Sequence, residues 1–242
     1  MRLVSCQGGE LQVLSSEAVV AKRGNVFTTG LQAVDELAPG GAFSYGAIHE
    51  LLSEPGEGLP LFVATMLARA ARGSRNEAVV WSDPQGKSGG VYPPALAAAG
   101  IPLERLFLLH PKARAEEVWA VAECLRCPGV HATVAHLGKL SRIEARRLQL
   151  AAEMGGGVGI LLRPSGSMSE EYAAATRWVV RRMPGERTVQ RWKLHLIHGH
   201  GGRVGQSVIL EAGHETNHVR AFAAVVDRSI PATDGAGMRR LA

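Results

Sequence analysis

The chain has 242 residues, of which 46% are hydrophobic and 20% charged, with a formal net charge of +5. This length and composition predict a sizeable core in one large domain, or in one domain with a tail. Apolar runs are shorter than the ~18 to 20 residues that span a bilayer, and the N-terminus lacks the apolar core of a signal peptide. Three cysteines are too few for a disulfide framework, which favours a reducing cytosol.

Apolar runs of strand length alternate with segments of helical period through the first two thirds of the chain. This alternation predicts an α/β fold, with a parallel sheet covered by helices on both faces. The short, near-continuous apolar runs are typical of strands buried on both sides. The predicted strands are 47–52, 78–82, 106–110, 130–137 and 158–163, and the predicted helices are 60–72, 95–99, 114–125 and 141–154.

The pattern changes after Arg163, where strands follow one another without long helices between them. We expect strands at 176–182, 188–197 and 206–211, with the glycine-rich segment 199–205 as a hairpin turn. An antiparallel end to the parallel sheet follows from this order. Residues 170–175 are expected to form a short helix, with a helix continuing through 182 as the alternative. The first 25 residues stay unassigned, and the tail from Pro231 is expected to be disordered.

Residues 53–60 connect a predicted strand to a predicted helix, as a phosphate-binding loop does. The pattern G-x-x-x-x-G-K-[ST] places Ser53 at the first glycine and Gly58 at the second. Leu59 then occupies the lysine position and Pro60 the hydroxyl position. Neither side chain can neutralise phosphate or bind Mg²⁺. Pro60 also removes a backbone N–H near the helix start, where phosphate oxygens would be received.

Two carboxylates in the same loop argue further against a nucleotide. Glu54 and Glu57 would repel a triphosphate, and we expect them to interact with the partial positive charge of the helix N-terminus instead. Gly56 and Gly58 then serve only the turn. We interpret the segment as a loop that binds no nucleotide.

Segment 214–218 reads HETNH and matches the H-E-x-x-H zinc pattern. Only Asp227 and Asp234 follow it as further acidic candidates, whereas a catalytic zinc needs three protein ligands. Its neighbours are polar, so a surface loop or helix start is the favoured interpretation.

Three other motifs have an ordinary structural interpretation. The CLRC segment 124–127 lies near a predicted helix end, where packing is favoured over redox or zinc chemistry. The HLIHGH segment 195–200 is interpreted as solvated hairpin residues. The RIEARR segment 142–147 places Arg142 and Arg146 one helical turn apart. A solvated helix face is favoured there, and a partner or phosphate surface is the alternative.

The order of these parts resembles the RecA ATPase core. The resemblance begins with FTTGLQAVDEL (27–37) and GGAFSYGAIHELL (40–52), and it ends with RWKLHLIHGHGGRVGQSVILEAG (191–213). It implies a RecA-like core over 27–213, preceded by a segment 1–26 and followed by a partly disordered segment 214–242. AVVWSDPQG (78–86) and HATVAHLGKL (131–140) match between these ends.

Against the RecA pattern, the catalytic positions are altered. The lysine and threonine positions hold Leu59 and Pro60, the water-activating glutamate falls at or near Gln85, and the Mg²⁺-linked aspartate falls near His136. An amide cannot act as a base. The resemblance therefore implies a degenerate ATPase with no catalytic residues, cofactor or metal. The segments matching the DNA-gripping loops of RecA are also short, which argues against RecA-style DNA binding and leaves weak, salt-dependent DNA binding open.

A RecA-like domain with these losses and a basic W-x-L…GGR-x-G hairpin resembles the ImuA family. Those proteins belong to the bacterial SOS response and are encoded with a Y-family-like partner, ImuB, and an error-prone C-family polymerase. The resemblance implies a cytoplasmic accessory protein of translesion synthesis that binds an ImuB-like polymerase complex, with RecA as a further candidate partner. A SulA-like division inhibitor and a divergent DNA-dependent ATPase of the RecA class remain the alternatives.

Overall fold

The computed structural model describes residues 3–7, 10–14, 26–54, 60–71, 78–82, 91–170, 173–184, 189–213 and 219–226. Several positions singled out in the sequence lie outside the described residues, namely Gly56, Glu57, Gly58, Leu59, Gln85, segment 214–218 and the tail from Pro231. Within the described ranges, no helix has the length and apolar character required to cross a membrane.

Strands and helices alternate through the first two thirds of the described chain and strands dominate the rest. The helices are α1 (Gln32–Asp35), α2 (Leu61–Ala70), α3 (Pro93–Ala98), α4 (Arg114–Arg126) and α5 (Arg142–Gly155), with 3₁₀ turns at Pro39–Gly41, Leu103–Arg105 and Ser165–Ser169. The strands are β1 (Leu3–Gln7), β2 (Glu10–Leu14), β3 (Val26–Phe27), β4 (Phe43–Ser44), β5 (Ala47–Ser53), β6 (Ala78–Ser82), β7 (Leu106–Leu109), β8 (Val130–His136), β9 (Val158–Pro164), β10 (Thr176–Met183), β11 (Val189–Gly199), β12 (Gln206–Gly213) and β13 (Val219–Val226).

Nine of these strands form one sheet in the order β13-β12-β11-β10-β5-β9-β8-β6-β7. The pairs from β10 to β7 are parallel, and the pairs from β10 to β13 are antiparallel. The predicted α/β fold, with a mostly parallel sheet and antiparallel C-terminal strands, is confirmed, and it is consistent with a RecA-like core. β1–β2 and β3–β4 form two separate antiparallel pairs.

Burial explains why the central strands were readable from the sequence. Val134, Ile160 and Leu162 are fully buried, as expected for strands covered on both faces. The expectation does not hold for β7, where Phe107 and Leu108 are exposed. β7 ends the sheet, so it lacks a second neighbouring strand.

The prediction of a helix at 170–175 is wrong for the described residues, because 173–175 are not helical. The helical turn lies earlier, at Ser165–Ser169. The alternative of a helix through 182 is also wrong, since β10 occupies Thr176–Met183. Pairing with β5 on one side and β11 on the other satisfies the backbone of β10, and this tertiary context overrides local helix propensity.

The core has one layer on each face of the sheet. On one face, Leu51 and Trp178 pack with Val63 and Leu67 of α2. On the other face, α4 and α5 cover a layer that includes Ile48, Val121, Leu125, Leu148 and Leu161.

The beginning and end of α5 are specified locally. The Ser141 hydroxyl accepts a hydrogen bond from the Glu144 backbone N–H at 3.3 Å, and the Ser141 backbone N–H donates to the Glu144 carboxylate at 2.8 Å. This reciprocal capping box satisfies two otherwise unpaired donors. The helix ends at Gly156, whose φ of 70° lies in the left-handed region that favours glycine.

An ion-pair ladder joins the three C-terminal strands. Glu211 on β12 accepts hydrogen bonds from Arg220 of β13 at 2.6 Å and from Arg191 of β11 at 2.9 Å. These two hydrogen bonds, the one from Arg220 foremost, lower the pKa of Glu211. β13 therefore belongs to the sheet through side chains as well as backbone, although it lies beyond residue 213.

Candidate functional site

The carboxyl ends of β5 and β9 meet at one edge of the sheet, where α/β proteins generally bind ligands. Ser53 ends β5 and is buried, and Glu54 follows it, half-buried. One Glu54 carboxylate oxygen accepts a hydrogen bond from the Ser165 hydroxyl at 3.0 Å, and the other accepts one from Arg181 at 2.9 Å. The segment that follows β5 thus contains a carboxylate whose partners lie within the protein.

Of the two carboxylates expected to interact with the helix N-terminus, Glu57 lies outside the described residues, and Glu54 is hydrogen-bonded to Ser165 and Arg181. The sheet order explains these two partners. β9 and β10 flank β5, so Ser165 and Arg181 reach the same edge as Glu54. A guanidinium offers a full charge and a directed donor, which competes well with the half charge of a helix end.

The start of α2 is chemically unlike a phosphate site. Pro60 precedes the helix and is buried, and Leu61, Phe62 and Val63 follow it. The hydroxyl of Thr65, one turn further on, donates to the Leu61 carbonyl at 2.7 Å. Within residues 60–65, therefore, neither a cation nor an uncommitted hydroxyl is available to receive a phosphate.

An aromatic stack packs the same end of α2 against the sheet. The Phe62 and Trp192 rings lie 4.2 Å apart, centroid to centroid, and are inclined by only 7°. Trp192 belongs to β11, so the stack fastens α2 to the antiparallel part of the sheet. Aromatic pairs of this kind contribute about 0.5 to 1.5 kcal/mol beyond their buried area.

A buried ion cluster lies on the central strands beneath this edge. Glu50 of β5 accepts hydrogen bonds from Arg163 of β9 at 3.1 Å and from Arg177 of β10 at 2.7 Å. Exposure of these three side chains is 2% or less. One carboxylate thus bridges two guanidinium groups inside the protein.

The remaining donors of both arginines are directed at backbone carbonyls. Arg163 donates to the Gly138 carbonyl at 3.2 and 3.3 Å, and Arg177 donates to the carbonyls of Ser167 at 2.7 Å and Met168 at 3.1 Å. Arg163 also pairs with Glu170. These cations are therefore engaged internally, and they fix the link after β8 and the turn after β9 to the sheet.

This cluster was not predicted, although the sequence contains a signal of it. Glu50, Arg163 and Arg177 each interrupt or end a strongly apolar strand. A charge within such a run indicates a buried partner, because an unpaired buried charge is very costly. The sequence cannot say which charge pairs with which.

The structure also describes His136, which the RecA resemblance places near the Mg²⁺-linked aspartate. It is the last residue of β8 and is half-buried. β9 separates β8 from β5, so His136 lies at the same edge as Glu54 but two strands away. Among the sequence-predicted positions, the structure thus describes Ser53, Glu54, Pro60 and His136.

Of the two links expected to be short, the link after β8 is short, whereas the link after β9 continues to Thr176 because residues 173–175 are not helical. Five residues, 137–141, separate β8 from α5. β9 is followed directly by the 3₁₀ turn Ser165–Ser169, whose carbonyls bind Arg177. Both links are therefore packed against the protein itself.

The histidine-rich hairpin has internal contacts as well. His195 hydrogen-bonds the Ser207 hydroxyl at 2.8 Å, and the His198 and His200 rings lie 5.2 Å apart. Burial, followed by the charges of His200 and Arg177, lowers the pKa of His198. In the part of the chain that the structure describes, no group of three or more His, Cys, Asp or Glu side chains could hold a metal ion.

The C-x-x-C pair lies at the end of α4, with Cys127 capping the helix. Burial raises the pKa of the Cys124 thiol, and the neighbouring Cys127 and Glu123 raise it further. A reactive thiol needs the opposite shift, toward thiolate. Packing at a helix end accounts for the motif.

Comparison with known proteins adds an independent line of argument. No family model matches the chain. Two curated proteins, each named Protein ImuA, come from Caulobacter vibrioides strains NA1000 / CB15N and ATCC 19089 / CB 15. Each is 28% identical to this chain over 236 residues, which cover 88% of this chain and 95% of the relative. Together with the colinear sequence motifs and the observed architecture, these matches support an assignment to the ImuA family, though a distant one.

Proposed function

We propose that this protein is a non-enzymatic accessory factor of SOS-induced mutagenesis and translesion DNA synthesis. It acts by binding an ImuB-like member of a mutagenic polymerase complex, rather than by hydrolysing a nucleotide. The observation that carries the non-enzymatic part is the engagement of Glu54 by Ser165 and Arg181 at the position of the phosphate loop. Similarity to ImuA supports the proposed cellular role.

Electrostatics support the loss of nucleotide binding. A triphosphate at this edge would meet the Glu54 carboxylate without a compensating lysine, because Leu59 occupies that position in the sequence. Gln85 cannot replace a catalytic glutamate as a base. The arginines of the buried cluster are engaged with Glu50 and with backbone carbonyls.

The intact core supports a role in binding. The nine-stranded sheet and both core layers persist without the chemistry that such a site usually serves. We propose that the core expected over 27–213, extended by β13 (Val219–Val226) of the same sheet, is the interacting domain, with 1–26 as a flanking segment. RecA is a further candidate partner, and weak DNA binding would be electrostatic and would fall with salt.

The test combines a binding experiment with a genetic one. The purified chain is expected to retain the ImuB-like protein of its own cell on a column, with or without ATP. Deletion of its gene should abolish damage-induced mutation, and the wild-type chain should restore it. The Glu54→Ala variant, which alters the former nucleotide position, should restore mutagenesis equally well.

Three outcomes would reject this proposal. Micromolar ATP binding that depends on Gly56 and Gly58 would favour the divergent ATPase. Filamentous growth on expression, with unchanged mutation frequency, would favour the division inhibitor. Failure to bind the ImuB-like protein under either nucleotide condition would remove the proposed partner.

A further inference from the structure

The outer surface of α5 carries an apolar stripe that the core does not use. Ile143, Leu150 and Met154 are 76%, 41% and 65% exposed. At 3.6 residues per turn, these three positions lie within an arc of roughly 40°. The opposite side of the helix supplies Ala145, Leu148, Ala151 and Ala152 to the core. The helix is thus apolar on two faces, and only one of them packs against the sheet.

Arginines surround this stripe. Arg126 from the end of α4 and Arg142, Arg146 and Arg147 from α5 line a surface groove of about 470 Å³ together with Ile143 and Leu150. Arg126 forms an exposed ion pair with Glu123, and Arg146 donates to the Gln149 side chain at 2.7 Å. None of the six residues that line the groove is acidic. The groove therefore combines four arginines, one of them paired with Glu123, with an aliphatic floor.

We propose that this groove binds an acidic amphipathic segment of a partner protein. Its carboxylates would meet the arginines, whose planar forks match carboxylate geometry, and its apolar side chains would cover Ile143 and Leu150. The inference rests on charge complementarity and on the exposed aliphatic stripe. It does not depend on the cellular role proposed above.

Nucleic acid fits the groove less well. Phosphates account for the arginines but leave Ile143, Leu150 and Met154 uncovered. Surfaces for single strands stack bases on aromatic rings, and this groove is lined by none. A lipid surface also fits less well, because it would match a flat or convex face, whereas the arginines here line a concavity between two packed helices.

The test selects peptides without assuming a sequence. A displayed library of random 16-residue peptides is selected on the whole wild-type protein, then counter-selected on the Arg146→Glu/Ile143→Asp variant. The matched control variant is Arg203→Glu/Val204→Asp, in the β11–β12 turn. It makes the same changes in charge and polarity, and the turn packs against Leu37 rather than α5.

Enriched peptides should combine Asp or Glu with Leu, Ile or Phe. In fluorescence anisotropy they should bind the wild type and the control variant equally, and the groove variant at least about tenfold more weakly, a loss of ~1.4 kcal/mol. Added salt should weaken binding. Circular dichroism must show both variants folded, and a milder Arg147→Gln variant serves if the double variant unfolds.

The proposal is overturned if the selection enriches no acidic peptides or if the groove variant binds them as well as the wild type does. It is also overturned if a labelled single-stranded oligonucleotide or an anionic phosphatidylglycerol vesicle binds more tightly than the peptides and loses affinity in the groove variant. Those results would assign the surface to nucleic acid or to lipid.

Discussion

Glu54 and Arg181 form an ion pair of 2.9 Å that links the end of β5 to β10 at the edge of the sheet where a phosphate would lie. Both side chains are partly exposed, so the pair contributes at most about 1 kcal/mol to stability. Its importance is electrostatic, because it sets a carboxylate where a phosphate-binding loop would need a cation. In the folded protein, the Glu54 carboxylate and the Arg181 guanidinium occupy this position.

Restoring the two signature residues should therefore not restore an ATPase. The Leu59→Lys/Pro60→Thr variant supplies an ammonium and a hydroxyl, but Gln85 and His136 still lack the base and the Mg²⁺ ligand. We expect no Mg²⁺-dependent phosphate release above the buffer background in a coupled assay. Adding Glu54→Ala removes the repulsive carboxylate, and we expect the same result. Hydrolysis by either variant would show that the site retains its chemistry.

Replacing Glu50 should be strongly destabilising. The Glu50→Gln variant keeps the side-chain shape but removes the negative charge that the buried Arg163 and Arg177 share, while Glu170 still pairs with Arg163. Breaking a buried pair in this way costs about 3 to 5 kcal/mol, which urea denaturation can measure. The matched control is Glu36→Gln, which breaks an exposed pair with Arg203 at 3.5 Å and should cost less than about 1 kcal/mol. Equal losses in the two variants would contradict the assigned role of the cluster.

Stability should fall on acidification because of His49. Burial lowers the pKa of this histidine to about 4 from 6.5. Between these pH values the unfolded chain binds the proton more readily than the folded protein, so stability is complete above 6.5 and falls as the pH decreases toward 4. The shift corresponds to roughly 3 kcal/mol over this window.

Burial keeps His49 neutral, and a chain of hydrogen bonds fixes the orientation of its ring. Its Nε2–H donates to the Ser44 carbonyl at 3.0 Å, and its Nδ1 accepts from the Thr176 hydroxyl at 2.7 Å, which in turn accepts from the Trp178 indole at 2.9 Å. The His49→Gln variant should therefore show a smaller loss of stability between pH 6.5 and 4 than the wild type. Parallel pH profiles for the two proteins would disprove this assignment.

Gly155 should not tolerate a methyl group. An added Cβ would lie 1.9 Å from the Leu125 carbonyl oxygen, because the ends of α4 and α5 approach closely there. A glycine-to-alanine change in a helix normally stabilises by up to about 1 kcal/mol. Here we expect Gly155→Ala to lower the free energy of unfolding by about 1 to 3 kcal/mol, as measured by thermal or urea unfolding. Gly166→Ala is the control, since no atom lies within 4 Å of its added Cβ, and it should be nearly neutral.

The sequence predicted the elements that obey a simple period. β8 and β9 are near-continuous apolar runs and are buried on both faces, and the predicted helix 141–154 matches α5 to within one residue at each end. β13 was missed because the residues after Gly213 were interpreted as a flanking segment. Its place in the sheet depends on pairing with β12 and on Arg220, which no local pattern reveals.

For the candidate site, the sequence predicted only which phosphate-binding residues are missing. The pattern showed that lysine and hydroxyl were absent at residues 59 and 60, and that conclusion needs no geometry. The pattern could not show which residues bind Glu54, because Ser165 and Arg181 are 111 and 127 residues away in the chain. Contacts at such separations are set by strand order rather than by local sequence.

The cluster of Glu50, Arg163 and Arg177 also has a consequence for cooperativity. The turn Ser165–Ser169 is surface chain of a kind that often opens locally, yet its carbonyls receive the guanidinium of Arg177. Opening the turn would strip two hydrogen-bond partners from a buried cation, which adds a cost of about 2 to 5 kcal/mol to local opening. This turn should consequently open less often than an unanchored surface turn, leaving the edge of the sheet more rigid on the timescale of amide hydrogen exchange.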